Sequence, residues 1–116
     1  MDRRKLTGRE GEAEAARYLK RRGYAVVAMN WACRLGEIDV IAQKGDTLVF
    51  VEVKTRKNAD FAQAREFVTP AKQRRILAAA SLYLQEHPTQ AQPRFDVIEV
   101  YTGGEAPAVS HIENAF

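Results

Sequence analysis

Asp39, Glu52 and Lys54 stand in the order D-x(12)-E-x-K, two hard carboxylates and an ammonium set in apolar sequence. Such a set suits metal-assisted hydrolysis of a phosphodiester. Carboxylate oxygens hold Mg²⁺ or Mn²⁺ while leaving it waters and room for a substrate phosphate. The cation then generates hydroxide and offsets charge in the transition state. Lys54 is placed either to orient the attacking water or to lie against the scissile phosphate. Glu12 is a third acid and a further candidate ligand. On a helix it shares a face with Ala16 and Leu19, and Gly8 lies one turn earlier. A carboxylate on an apolar stripe costs free energy unless it is paired or metal-bound, and Gly8 would admit a backbone or ligand at close range. The plain alternatives are a surface Glu at the stripe's edge and a Glu52–Lys54 ion pair on an exposed sheet face. Phe50, on the face of Glu52, argues that this face is covered. Gln73, or its neighbour Lys72, falls one turn before Ile76 on the buried side of a second helix, aimed back at the same sheet. Its plain alternative is an ordinary polar residue of a first helical turn.

These residues need elements to hold them. Thr7-Gly8-Arg9-Glu10 fits a capping box, so the first helix is expected from near Thr7 to Gly23, after the basic last turn Lys20-Arg21-Arg22. Strands follow over Tyr24–Met29, Ile38–Ala42 and Leu48–Val53, the last two joined by a turn around Lys44-Gly45-Asp46. A connection that opposes Gln43 to either Asp46 or Leu48 puts Asp39 and Glu52 on one face of that hairpin; an odd loop would not. A polar stretch, Thr55 to Val68, has no clear period. Thr69-Pro70 then starts a second helix that runs to about Glu86, before Pro88, with Ile76, Leu77, Ala80, Tyr83 and Leu84 on its stripe. Phe95–Tyr101 alternates as a fourth strand, and Ala108–Glu113 is a candidate fifth. The order α-β-β-β-α-β implies an α/β fold, a mixed sheet flanked by helices, with residues 1–116 as a single domain.

Composition narrows the class. Hydrophobic residues make up 46% and charged residues 28% of the 116, the balance of a globular domain. No apolar run reaches the length of a membrane span, so no membrane partner is expected. The basic start Met1–Lys5 is followed by no apolar core of a secretory signal. Cys33 is the only cysteine, which rules out an intramolecular disulfide and suits a reducing, cytoplasmic setting. One Cys and two His are too few for a structural zinc site. The net charge of +3 hides a segregation. Residues 1–35 and 54–75 each carry a balance of +5, while 36–53 carry −3 and 76–116 carry −4. Two basic blocks around an acidic centre could attract a polyanion and hold a cation between them; the plain alternative is a set of solvated faces. No P-loop or G-x-G-x-x-G occurs, and neither Ser81 nor Ser110 has a nucleophile's context. Trp31 either stacks on a base or plugs the core. Asp96, between Phe95 and Val97, is expected to pair with Arg94 or cap a neighbour rather than bind metal.

Asp39 with Glu52-Val53-Lys54 resembles the PD-(D/E)xK nuclease core, and Gly8-x-x-x-Glu12 resembles the helix-borne acid of archaeal Holliday-junction resolvases. A fuller set is Gly8-Arg9-Glu10-Gly11-Glu12, Asn30-Trp31, Gly36–Ile41, Val49–Arg56, Arg94–Val97 and Asn114-Ala115-Phe116. Together these resemble the bacterial YraN family of proposed endonucleases over nearly the whole chain. Ala32 and Ala62 depart from the family pattern, which has a basic residue and a Gly there. The resemblance implies a restriction-endonuclease-like core, Asp39 and Glu52 as metal ligands and Lys54 as catalytic lysine. The expected function is thus a Mg²⁺- or Mn²⁺-dependent endonuclease acting on DNA, branched or otherwise structured DNA included, with room for a homodimer. The alternative is a non-catalytic nucleic-acid-binding module on the same fold.

Overall fold

The computed structural model describes residues 3–57 and 68–116, with side chains from Gly8 onward. Its elements are helix α1 (Arg3–Arg21), strands β1 (Ala25–Cys33), β2 (Gly36–Lys44) and β3 (Thr47–Arg56), helix α2 (Pro70–Glu86), then β4 (Gln92–Tyr101) and β5 (Ala108–Ile112). The expected element order holds, and the short fifth strand forms. The polar stretch after β3, with Ala62 in it, lies largely outside the described residues.

The strands line up as β1-β2-β3-β4-β5, antiparallel except for the parallel pair β3–β4. A parallel pair needs a long crossover, and the segment containing α2 supplies it. One face of the sheet carries Ile41, Leu48, Phe50 and Val97 against Ile76, Ala79, Ala80 and Tyr83 of α2. The other carries Val40, Val49, Val51, Ile98 and Val100 against Ala15 and Leu19 of α1. Aromatic rings brace the α2 face: Trp31 meets Tyr83 edge-on at 5.3 Å, and Phe50 stacks on Phe95 at 5.4 Å. Trp31 is thus packed against the core, as one of its two expectations had it.

Two boundaries are corrected. Helix α1 begins at Arg3, so Thr7 is an interior residue rather than the start of the helix. Arg3, Arg4, Lys5 and Leu6 are all good helix formers, and propensity carries the helix past the cap. Its end is as expected. Gly23 takes φ 92, and the Tyr24 amide returns to the Leu19 carbonyl at 2.9 Å. Strand β1 runs beyond Met29 to Cys33, because pairing with β2 continues through Trp31↔Ile38 to Cys33↔Gly36. Partner pairing, which local alternation does not encode, extends it.

The β2–β3 hairpin has the register the site requires. Gln43 opposes Leu48 and Lys44 opposes Thr47, leaving Gly45-Asp46 as a two-residue turn with Gly45 at φ 56. Helix α2 starts as expected, with the Thr69 hydroxyl accepting from the Lys72 amide at 3.1 Å and Pro70 in the first position.

Candidate active site

The site begins where β2 and β3 part. Their register runs to Val40↔Val51, and one further step opposes Asp39 to Glu52. There the Val53 amide turns to a side chain, donating to Asp39 Oδ2 at 2.8 Å. Ile38 and Val40, which strict alternation would put on one face, join opposite cores. The pleat therefore breaks at Asp39, and Asn30 beside it on β1 takes a left-handed φ of 49. Asn accepts that conformation more readily than most residues.

Asp39 and Glu52 face a common cavity of about 290 Å³, with Glu37, Lys72 and Arg75 around it and Ile76 of α2 in its wall. Glu52 is 5% exposed. Its Oε1 lies 3.5 Å from Lys54 Nζ and is also in contact with Lys72 Nζ. Burial pushes the Asp39 carboxyl up to about 8, and the Glu52 charge, a hydrogen bond with Glu52 and the Glu12 charge push the same way. The Val53 amide opposes them. Lys54 is lowered, burial and the Lys72 charge outweighing the attraction of Glu52. Lys72 is raised: burial works against its charge, but the hydrogen bond and charge of Glu52 overcome it. The pair of acids is buried, crowded and only partly neutralised.

Glu12 arrives from the other side of the sheet. Its Oε1 accepts from Asn30 Nδ2 at 2.9 Å, and the same amide reaches Glu37 Oε1 at 3.5 Å. Glu12, Asn30 and Glu37 line an adjoining groove of about 630 Å³ with Gly8 and Arg9. Glu37 borders both spaces and joins them. Gly8 faces open space, with no backbone of another element close to it among the described residues. The close approach is at Gly11, where an added Cβ would collide with the Thr55 hydroxyl of β3. Glu12 is thus near enough for Asp39 to feel its charge, and Asn30 holds it. Among the described residues, no three Asp, Glu, His or Cys side chains form a ready-made metal cage.

Other sequence-derived candidates divide. Gln73 does not line the cavity; its Nε2 donates to the Val68 carbonyl at 2.9 Å and fixes the entry to α2. Lys72, one residue earlier, is the side chain that reaches Glu52. Asp96 pairs with Arg94 as expected, at 2.9 and 2.8 Å, and also takes His111 Nε2 at 2.7 Å. Asn30, Glu37 and Arg75 had no assigned role. Arg75 was findable, since it lies three positions beyond Lys72 on one helix face. The grip of Asn30 on Glu12 depends on the broken pleat, which the sequence does not announce.

The family model of an uncharacterised protein family, UPF0102, matches residues 11–100. The chain is 41% identical to a UPF0102 protein of Caldicellulosiruptor saccharolyticus, over the whole of both chains. It is 44% identical to one of Pelotomaculum thermopropionicum, covering 99% of this chain and 98% of that one. With one of Geotalea uraniireducens it shares 46%, over 97% and 90%. The chain belongs to the UPF0102 family.

Proposed function

We propose that this UPF0102 protein is a metal-dependent endonuclease that hydrolyses phosphodiester bonds in DNA, branched or structured DNA included. One observation carries the reading: Asp39 and Glu52 are buried side by side in one cavity, where burial and then the Glu52 charge push the Asp39 carboxyl up to about 8. Nothing in the packing of the sheet asks for that pair, and strained ionisable pairs in cavities mark functional sites. The donor set fits Mg²⁺ or Mn²⁺. Such ions need only one or two carboxylates, the rest of the sphere being water and substrate phosphate, so the lack of a three-acid cage does not count against them. Asp39 and Glu52 are the residues that would hold the ion, with Glu12 behind Asp39. When bound, it supplies charge neutralisation at the phosphate and a more acidic water.

The chain's own residues do the rest. The Val53 amide donates to Asp39 Oδ2 and so fixes the carboxyl in the cavity wall. Lys54, beside Glu52, presents an ammonium that donates to the attacking water or to a phosphate oxygen. Arg75 at the cavity wall supplies positive charge for the flanking backbone. No helix among the described residues is long and apolar enough to cross a membrane.

The test is incubation of the pure protein with labelled linear, flapped and four-way DNAs in Mn²⁺. Cleavage of at least one substrate by the parent is expected. Lys54→Ala should abolish it while leaving most binding, since Lys54 is one positive charge among many in the binding energy. Binding without cleavage by the parent on every substrate would favour a non-catalytic nucleic-acid-binding module.

A further inference from the structure

Lys72 stands on the first turn of α2, and its ammonium reaches Glu52 Oε1, the oxygen that Lys54 also approaches. The two partners are unequal. The Glu52 side chain is 5% exposed and fixed in the cavity wall, whereas that of Lys72 is 38% exposed on a rotatable stem. A contact between an anchored anion and a mobile cation can be exchanged. An ion seated between Asp39 and Glu52 would compete for that same carboxylate, and it would repel an ammonium left so close. The released side chain has a short reach to the cavity mouth, where Arg75 already places positive charge.

We infer that Lys72 is the stand-in cation of the free protein: it neutralises Glu52 until a divalent ion binds, and is then handed to the phosphodiester backbone at the cavity mouth. The inference rests on the metal-nuclease reading. It makes Lys72 a positioning residue that links ion binding to DNA binding. By linkage, the ion strengthens DNA binding by the factor with which DNA strengthens ion binding, and part of that factor runs through Lys72. A purely structural ion pair tying α2 to β3 would carry none of the ion's effect on DNA binding.

The probe is Mn²⁺ alone, followed by loss of the free-ion electron paramagnetic resonance signal. Parent, Lys72→Met, Arg75→Met and Asp39→Asn are compared, with Lys72→Gln as a second removal of the charge. Lys72→Met and Lys72→Gln should bind Mn²⁺ about tenfold more tightly than the parent, the loss of one competing ion pair. Arg75→Met, which removes a neighbouring charge that does not contact Glu52 in the resting site, should stay within about twofold. On a four-way DNA, Ca²⁺ should tighten parent binding more than it tightens Lys72→Met binding. Unchanged or weaker Mn²⁺ affinity in both Lys72 variants would overturn the inference, as would equal tightening by Arg75→Met. An equal Ca²⁺ effect on DNA binding in parent and Lys72→Met would overturn the hand-over to phosphate. Failure of the parent and both Lys72 variants to bind Mn²⁺, with the four-way DNA present as well as without it, would instead remove the metal reading itself.

Discussion

Asp39 is held in a state that stability alone would not select. Its carboxyl is pushed from the ordinary 3.8 up to about 8, chiefly by burial and by Glu52. Between those values the folded protein keeps a proton that the unfolded chain releases, so stability falls as pH rises through that window. Asp39→Asn retains an oxygen for the Val53 amide and removes the charge. In the absence of divalent ions, denaturant unfolding should find the variant close to the parent at about pH 4 and more stable by about pH 9. The difference is on the order of a few kcal/mol at most. An equal difference at both pH values would mean that neither burial nor Glu52 raises the Asp39 carboxyl. Millimolar Mn²⁺ at high pH should narrow the gap by stabilising the parent alone, by about 2.7 kcal/mol at a hundredfold excess over Kd.

At the scale of elements, α1 delivers Glu12, and two glycines on it have opposite duties. Gly8 faces open space, so Gly8→Ala should follow helix propensity and stabilise by up to about 1 kcal/mol. Gly11 lies against Thr55, where a Cβ meets the hydroxyl and lies 3.2 Å from the Thr55 Cβ. Gly11→Ala should therefore destabilise by about 1–3 kcal/mol, and Thr55→Ala in the same chain should recover part of the loss. Urea midpoints decide it; two glycine variants with the same sign would show that α1 does not cross β3 this closely. The sequence offered Gly8 for the approach of a backbone or a ligand, and the approach of a backbone falls at Gly11 instead. Helical spacing fixes which residues share a face, whereas the height of one element over another is set by packing.

At the scale of the molecule, the second buried acid works in the opposite sense to the first. Asp96 is fully buried on the α1 side and gathers Arg94, His111 and the Asn114 amide, while Arg94 also reaches the Tyr24 hydroxyl at 2.7 Å. Burial acts to raise its pKa, but the His111 and Arg94 hydrogen bonds prevail and lower it. Its share of stability is present above the ordinary carboxylate range and is lost as pH falls through the lowered value. Asp96→Ala takes the shared acceptor from Arg94, His111 and the Asn114 amide, leaves Arg94 only Tyr24 and Glu113 among the described residues, and should cost about 2–4 kcal/mol in denaturant unfolding. A loss under about 1 kcal/mol would mark the cluster as incidental to the fold. The charge blocks make a prediction of their own. If they meet DNA phosphates, log affinity should fall with log salt at a slope of about −0.9 per contact on duplex DNA. An affinity indifferent to salt would remove DNA as the partner.

The sequence by itself determined the element order, the mixed sheet and the facing of Asp39 and Glu52, because period-2 alternation and a short hairpin leave few registers. It also carried the end of α1 at Gly23 and the Thr69 cap of α2, since both are local chemistry. Tertiary structure decided what depends on contacts between distant segments. Pairing with β2 carried β1 on to Cys33, and the break in the pleat at Asp39 turned Asn30 toward Glu12. The choice of Lys72 over Gln73 at the cavity turned on where α2 sits above β3. Gln73 was already engaged by the Val68 carbonyl, while Lys72 had the length to reach Glu52. Periodicity assigns a residue to a face; only the packed helix and sheet determine which side chain on that face meets a particular oxygen.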